Sequence, residues 1–293
     1  MRLLSALLAG VLCGQQLPVL EPGQPAGLTY SGRPLRISSP CSEEDIRALS
    51  LTCPPEQPCP VYLELAELER VGQKLFLTGN LHTESATLAS VLLASEDDGR
   101  SWFEPHERIR SAALDQIQFF DLETGWAAGY LLHALPRDPF LLLTTDGGKT
   151  WRRRPLWAES KIGVIEHFYF DSRRHGVLWI DRASAGDAGR FELYESMTGG
   201  ESWMIRQITD RPIPKKGART PNPDWRLRAD SASKSYVIER RTPAWQVVAS
   251  FAVHAGECKE PETPPAQPPE PADVKTPEQP LSPASPRLRS IPR

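Results

Sequence analysis

The sequence has almost no net charge. Its 34 Lys and Arg against 37 Asp and Glu leave a formal −3 over 293 residues, which gives no electrostatic reason to expect a nucleic-acid partner. Histidines at metal-ligand spacing are missing as well. His82, His106, His133, His167, His175 and His254 form no i,i+4 pair, so no zinc site is expected. Neither a Gly-x-Ser-x-Gly elbow nor a phosphate-binding loop occurs. The expectation is no catalytic set, no cofactor and no metal. Long apolar runs are also lacking. The run from Leu3 to Leu12 is too short to span a bilayer, so no transmembrane segment is expected in the mature chain.

That short run, following Met1-Arg2, has the form of an export signal. Residues 1–14 read as a signal peptide cut near Cys13-Gly14, which sends the chain to the periplasm or outside the cell. A lipid anchor at Cys13 is the disfavoured alternative, because Leu12 is not the small residue that usually precedes a lipidated cysteine. Four cysteines then remain: Cys41, Cys53, Cys59 and Cys258. An even number in an exported chain points to two disulfides, and four cysteines allow three pairings.

Composition fits a folded domain, with 40% hydrophobic and 24% charged residues. The 29 prolines are unevenly placed. Residues 15–59 form a Cys- and Pro-rich segment in which Ser42-Glu43-Glu44-Asp45 is predicted to cap a short helix through Leu49. Residues 259–293 are nearly one-third proline with Glu, Lys, Ser and Gln between, a composition predicted to be disordered with polyproline character. Lys215, Lys216 and Arg219, among prolines, read as an exposed loop.

Between these flanks lies a repeat. Ser95-Glu96-Asp97-Asp98-Gly99-Arg100-Ser101-Trp102 is matched by Thr144-Thr145-Asp146-Gly147-Gly148-Lys149-Thr150-Trp151. A third copy, Ser196-Met197-Thr198-Gly199-Gly200-Glu201-Ser202-Trp203, has Thr198 in place of Asp. The tryptophans stand 49 and 52 residues apart, the length of one four-stranded propeller blade. Alternating apolar segments precede each copy, as in Ile117–Asp121 and Ile165–Asp171, each followed by a tight polar turn and a second strand. A worn fourth copy runs from Trp225 to Trp245 and has lost the Asp and Gly.

Each octet residue has a structural task. The leading Ser or Thr and the Asp fold oxygens back onto backbone N–H groups. Gly99, Gly148 and Gly200 permit positive φ, and the Trp covers the hairpin. A calcium reading of Asp97 and Asp146 is the rival, since Glu96-Asp97-Asp98-Gly99 has a passing likeness to a calcium loop. The second and third copies lack the extra carboxylates, which favours the structural role.

The octets resemble BNR/Asp-box repeats, which occur in sialidases and in many other propellers. The longer units, with Phe-Phe-Asp-x-x-x-Gly-Trp-Ala-x-Gly ahead of Thr-Asp-Gly-Gly-Lys-Thr-Trp, are similar to the domain of the photosystem II assembly/stability factors. The resemblance covers about residues 60–255. It implies an all-β fold: a small propeller of four or five four-stranded blades over residues 60–258, with Asp-box hairpins at Ser95, Asp97, Gly99, Trp102, Thr144, Asp146, Gly148, Trp151, Ser196, Gly200 and Trp203. It further implies an exported, non-catalytic binding or assembly scaffold whose partner is a protein of the cell envelope. Since propeller chain ends meet in the closing blade, Cys59–Cys258 is predicted as a ring-closing bridge, with Cys41–Cys53 pinning the N-terminal segment.

A sialidase-like glycoside hydrolase is the alternative. It needs converging arginines, a Tyr/Glu nucleophile pair and an Asp acid/base. Arg152-Arg153-Arg154, Arg173-Arg174 and Arg240-Arg241 are consecutive, so on strands they point to opposite faces. They read as solvated strand edges that deter sheet-to-sheet pairing.

Overall fold

A computed structural model describes residues 27–39, 41–183, 189–212, 214 and 222–260. The expected signal segment, the tail from 261 onward, and Lys215, Lys216 and Arg219 lie outside the described residues. The chain opens with β1 (Leu28–Thr29) and one helix, α1 (Glu43–Ala48). As the sequence predicts, Ser42 caps that helix: the Asp45 amide donates to its hydroxyl at 3.1 Å, and the Ser42 amide donates to the Asp45 carboxylate at 2.9 Å.

Strands follow from Cys59 on. They are β2 (Cys59–Val71), β3 (Lys74–His82), β4 (Thr87–Ser95), β5 (Ser101–Trp102), β6 (Ala112–Phe119), β7 (Gly125–Leu132), β8 (Pro136–Thr144) and β9 (Arg152–Pro155), then β10 (Val164–Phe170), β11 (Gly176–Asp181), β12 (Phe191–Ser196) and β13 (Met204–Thr209), and finally β14 (Trp225–Asp230), β15 (Ser235–Arg241), β16 (Trp245–Ala252) and β17 (His254–Cys258). Four larger antiparallel sheets result, β17-β2-β3-β4, β6-β7-β8-β9, β10-β11-β12-β13 and β14-β15-β16, beside a two-stranded β1-β5 ladder. This is the all-β propeller architecture that the repeat length predicts, with four sheets. Strands β3 and β4 are buried along nearly their whole length, because strands covered on both faces are rich in apolar residues.

Three apolar clusters set the order of the sheets. Trp225, Ile238, Ala249 and Phe251 of the fourth sheet pack with Leu63, Leu75 and Leu93 of the first. Phe76 and Leu92 of the first pack with Leu114, Phe119 and Trp151 of the second. Trp126 and Leu141 of the second pack with Phe168, Phe170 and Leu178 of the third. The sheets therefore stack fourth, first, second, third. The last sheet reaches the first because β16 leads directly into β17, which pairs with β2.

The octets are the joints of this stack. In the first, the Gly99 amide donates to the Ser95 hydroxyl at 2.8 Å, the Ser101 amide and hydroxyl donate to Asp97 at 2.9 and 2.6 Å, and the Trp102 indole donates to the Gly99 carbonyl at 2.9 Å. The second repeats the pattern on Thr144, Asp146, Gly148, Thr150 and Trp151. In the third, the single hydroxyl of Thr198 takes the Asp position and still accepts the Ser202 amide at 2.9 Å, while Gly200 and Trp203 bond as before. Each turn then presses on the sheet before it. A Cβ on Gly148 would lie 2.5 Å from Phe76, and one on Gly99 would lie 2.6 Å from Val248. Gly148 also sits at φ +82°, so glycine meets a conformational and a steric demand at once.

The fourth unit departs from expectation. Its sheet has three strands, its outer edge holding only a parallel bridge from Leu35 to Phe251. The link from β15 to β16 turns at Thr242–Pro243 with none of the octet bonds. Trp245 is half-buried under the Arg226 guanidinium instead of sealing a hairpin. With its Asp and Gly gone, Trp245 has no turn to close.

The disulfide pairing also needs correcting. The bridges are Cys41–Cys258 and Cys53–Cys59, not Cys59–Cys258 and Cys41–Cys53. Cys59 and Cys258 do stand opposite each other in the β2–β17 ladder, as the meeting of chain ends requires. Backbone pairing already joins those strands there, and each thiol turns to the N-terminal segment. A turn in which the Gln57 amide bonds the Pro54 carbonyl brings Cys53 back to Cys59, and Cys41 reaches Cys258 from the other side.

Two outcomes follow. Non-reducing peptide mapping is expected to recover Cys41 linked to Cys258 and a Cys53–Cys59 loop; a Cys59–Cys258 peptide would refute this arrangement. Gly148→Ala is expected to lower unfolding free energy by about 2–4 kcal/mol, from left-handed backbone strain plus overpacking against Phe76, as read by urea denaturation.

Candidate functional site

The predicted octet residues do not converge on a common pocket; they lie in three separate turns with their polar atoms engaged. Burial acts to raise the Asp146 pKa. The bonds from Thr150, Thr144 and the Lys149 amide outweigh it and hold Asp146 at about 2, and Asp97 is likewise lowered. Carboxylates locked this way serve turns, not proton transfer.

The strongest concave feature was not foreseen. It runs along the first strand of each of the first three sheets, β2, β6 and β10. Each of these strands carries a bulge at an equivalent position, between Leu65 and Glu67, Leu114 and Gln116, and Ile165 and His167. The skipped residues are Ala66, Asp115 and Glu166. Glycine makes the first two bulges possible: a Cβ on Gly79 would lie 2.0 Å from the Glu64 carbonyl oxygen, and one on Gly129 would lie 2.3 Å from that of Ala113.

Side chains beside the bulges tie the strands together. The Ile117 and Phe119 amides of β6 donate to Glu67 and Glu69 of β2 at 2.7 and 3.1 Å. One step along, the Gln116 amide group donates to the Ile165 carbonyl at 2.9 Å. Gln118 takes the Phe170 amide at 2.9 Å and gives to its carbonyl at 2.8 Å. Glu-Leu-Glu at 67–69 and Gln-Ile-Gln at 116–118 thus do the same work, with the next sheet's strand edge as their partner. The 49-residue phase shared by these triplets was the available sequence signal.

Two cavities open on these strands. One, of about 560 Å³, is lined by Ala66, Glu67, Asp115, Gln116, Glu166 and His167, among others. The second, of about 600 Å³, shares Ala66 and Asp115 and continues past Glu64, Asn80, His82, Tyr130 and His133. Asn80 donates to Glu64 at 3.2 Å. Burial pushes the Asp115 carboxyl up, a hydrogen bond from Tyr130 opposes that, and the Glu64 charge adds to it. Burial and the Asp115 charge raise the Tyr130 phenol far above its usual value. The groove is carboxylate-rich, and one of its acids is held under electrostatic stress.

The arginine runs go elsewhere. Arg152 and Arg154 both bind Glu201, at 2.8 and 2.6 Å, while Arg153 on the opposite face lies over Phe140. Arg173 pairs with Asp121 and Glu123, and Arg240 lies over Trp225. A Tyr/Glu pair does exist: Tyr194 donates to Glu192 at 2.7 Å. It sits on β12, with the Trp157 indole donating to the Tyr194 hydroxyl, one arginine, Arg182, on Glu192, and a phenol pushed up to about 12 by burial. These contacts brace a loop against the third sheet.

No protein-family model matches the chain, and no curated protein matches its sequence. Among solved structures it is similar to YCF48 bound to a D1 peptide, at 16% identity and a TM-score of 0.37, over 65% of this chain and 56% of that one. It is also similar to YCF48 from Cyanidioschyzon merolae, at 15% identity and a TM-score of 0.32, over 65% of this chain and 57% of that one. A GH74 xyloglucanase from Xanthomonas campestris aligns at 20% identity and a TM-score of 0.35, over 45% of this chain and 18% of the enzyme. The chain thus spans little more than half the length of the YCF48 structures it matches.

The stress on Asp115 has a measurable sign. A carboxyl raised in the folded state holds its proton to higher pH than in the unfolded chain, so it weakens the fold as pH rises through that raised value. Asp115→Asn is expected to be more stable than the parent at pH 7 to 8. The gain should shrink toward zero as pH falls below the ordinary carboxylate range. Thermal unfolding across pH 3 to 8 reads this out, and a variant less stable at neutral pH would contradict it.

Proposed function

We propose that this chain is an exported, non-catalytic binding scaffold that receives a basic, extended segment of a cell-envelope protein along the groove of β2, β6 and β10. The observation that carries the reading is the repeated bulge, which lifts Asp115 and Glu166 out of regular pairing beside Glu64 and Glu67. A groove of this sign attracts lysine and arginine side chains. Two disulfides fit an oxidising compartment. No described helix is long and apolar enough to cross a membrane.

The glycosidase alternative draws support only from the Tyr194–Glu192 pair, and the raised Tyr194 pKa works against a ready nucleophile. Arg152 and Arg154 are engaged by Glu201 and Arg173 by Asp121 and Glu123, which favours the scaffold as well.

A fluorescent extended peptide rich in Lys and Arg tests the proposal. Anisotropy titration is expected to give binding that weakens with salt. Glu166→Gln should weaken it by roughly 3- to 10-fold, equivalent to about 0.7–1.4 kcal/mol, while Glu201→Gln, distant from the groove, should not. Binding indifferent to Glu166 would remove the groove from the account. Turnover of a fluorogenic sialoside would overturn the non-catalytic reading.

A further inference from the structure

The outer edges of the four sheets are protected in different ways, and one is left bare. In the first sheet the outer strand, β4, is covered by the segment that follows the octet, which bridges it at Ala94–Phe103 and Ala89–Arg110, while β5 itself pairs with β1. In the fourth, β16 is covered by the N-terminal segment: the Leu35 amide donates to the Ser250 carbonyl, and the Ala252 amide donates to the Leu35 carbonyl, both at 2.8 Å. In the second, β9 reads Arg152-Arg153-Arg154-Pro155, where charge and a missing N–H discourage any further strand. The third sheet ends at β13, Met204-Ile205-Arg206-Gln207-Ile208-Thr209, and among the described residues no strand pairs with its far edge.

Among the described residues, this edge also gathers several of the exposed large apolar side chains. Met204, Ile205 and Ile208 are 53%, 46% and 41% exposed, and nearby Met197 is 51% exposed. A bulge against β12 skips Arg206, which brings Ile205 and Ile208 onto one face. Arg206 is neutralised by Glu195 at 2.6 Å, so it does not guard the edge as the β9 arginines do.

The sequence of β13 is complementary to itself. With a two-fold axis between Arg206 and Gln207, antiparallel pairing sets Ile205 against Ile208 of a second copy, Met204 against Thr209, and Arg206 against Gln207. The Ile205–Ile208 match recurs on both sides of the axis, and no like charges stand opposite each other. The same operation on β9 would set arginine beside arginine. We propose that β13 is a homodimerisation edge, across which two copies of this chain join their third sheets through antiparallel β13 pairing. Such a contact is isologous and closes on itself, so it stops at two copies.

Sedimentation velocity on the full chain, from low to high micromolar, tests this. The parent is expected to shift from monomer to a dimer of defined mass, and hydrogen exchange at residues 204–209 should slow as the dimer forms. Ile205→Lys with Ile208→Lys should abolish the dimer while leaving the melting temperature within a few degrees, since both side chains are exposed. Leu135→Lys, at another exposed apolar position, should leave it intact. A parent that stays monomeric, one that forms open higher oligomers, or a dimer that survives the double substitution would each overturn the proposal. A dimer that leaves the 204–209 amides unprotected would also do so.

Discussion

The fold depends on the contact between an octet turn and the sheet before it. Hydrogen bonding shapes the turn, but its place in the molecule comes from glycine lying flat on a neighbouring side chain. Phe76 beneath Gly148 stacks on Phe119 at 4.7 Å and meets Trp151 edge-on at 6.1 Å. Trp126 does the same for the third turn, lying flat on Phe170 and donating to the Gly199 carbonyl at 2.8 Å. Each junction therefore couples a polar turn to a packed aromatic pair that the neighbouring sheet completes. Neighbour-to-neighbour coupling of this kind makes stability a property of adjacent units.

Much of this was readable in the sequence because it is local. Ser95 to Trp102 and its relatives specify a turn through contacts between residues two to four positions apart, and the short helix follows from Ser42 and Asp45 in the same way. Thr198 is instructive: one hydroxyl stands where the other turns have a carboxylate, and the turn persists. The worn unit still forms a sheet over β14–β16, but Trp245 carries no turn information once its Asp and Gly are absent.

What stayed hidden is non-local. The groove arises from bulges, and a bulge is a relation between two strands that one strand's pattern does not reveal. Gly79 and Gly129 were visible, yet their meaning depends on the carbonyls of Glu64 and Ala113 across the ladder. Glu67, Glu69, Gln116 and Gln118 looked like ordinary polar positions. Only their partners, amides and carbonyls of the next sheet, make them structural. The cysteines failed for a related reason. Chain-end proximity brought Cys59 and Cys258 into register, but which thiol meets which is decided by the path of residues 41–59 around them.

That path has a mechanical consequence. Just past Cys258, the Glu260 amide and carboxylate grip the backbone of Cys53. A pull on the chain from beyond this point would, in an unbridged protein, peel β17 from β2 one ladder bond at a time, the weakest way to load a sheet. Here the force enters the covalent link to Cys41 and passes into the segment that also braces β16 through Leu35. Cys258 is anchored to two sheets at once, and while the bridge is intact β17 is spared from unzipping.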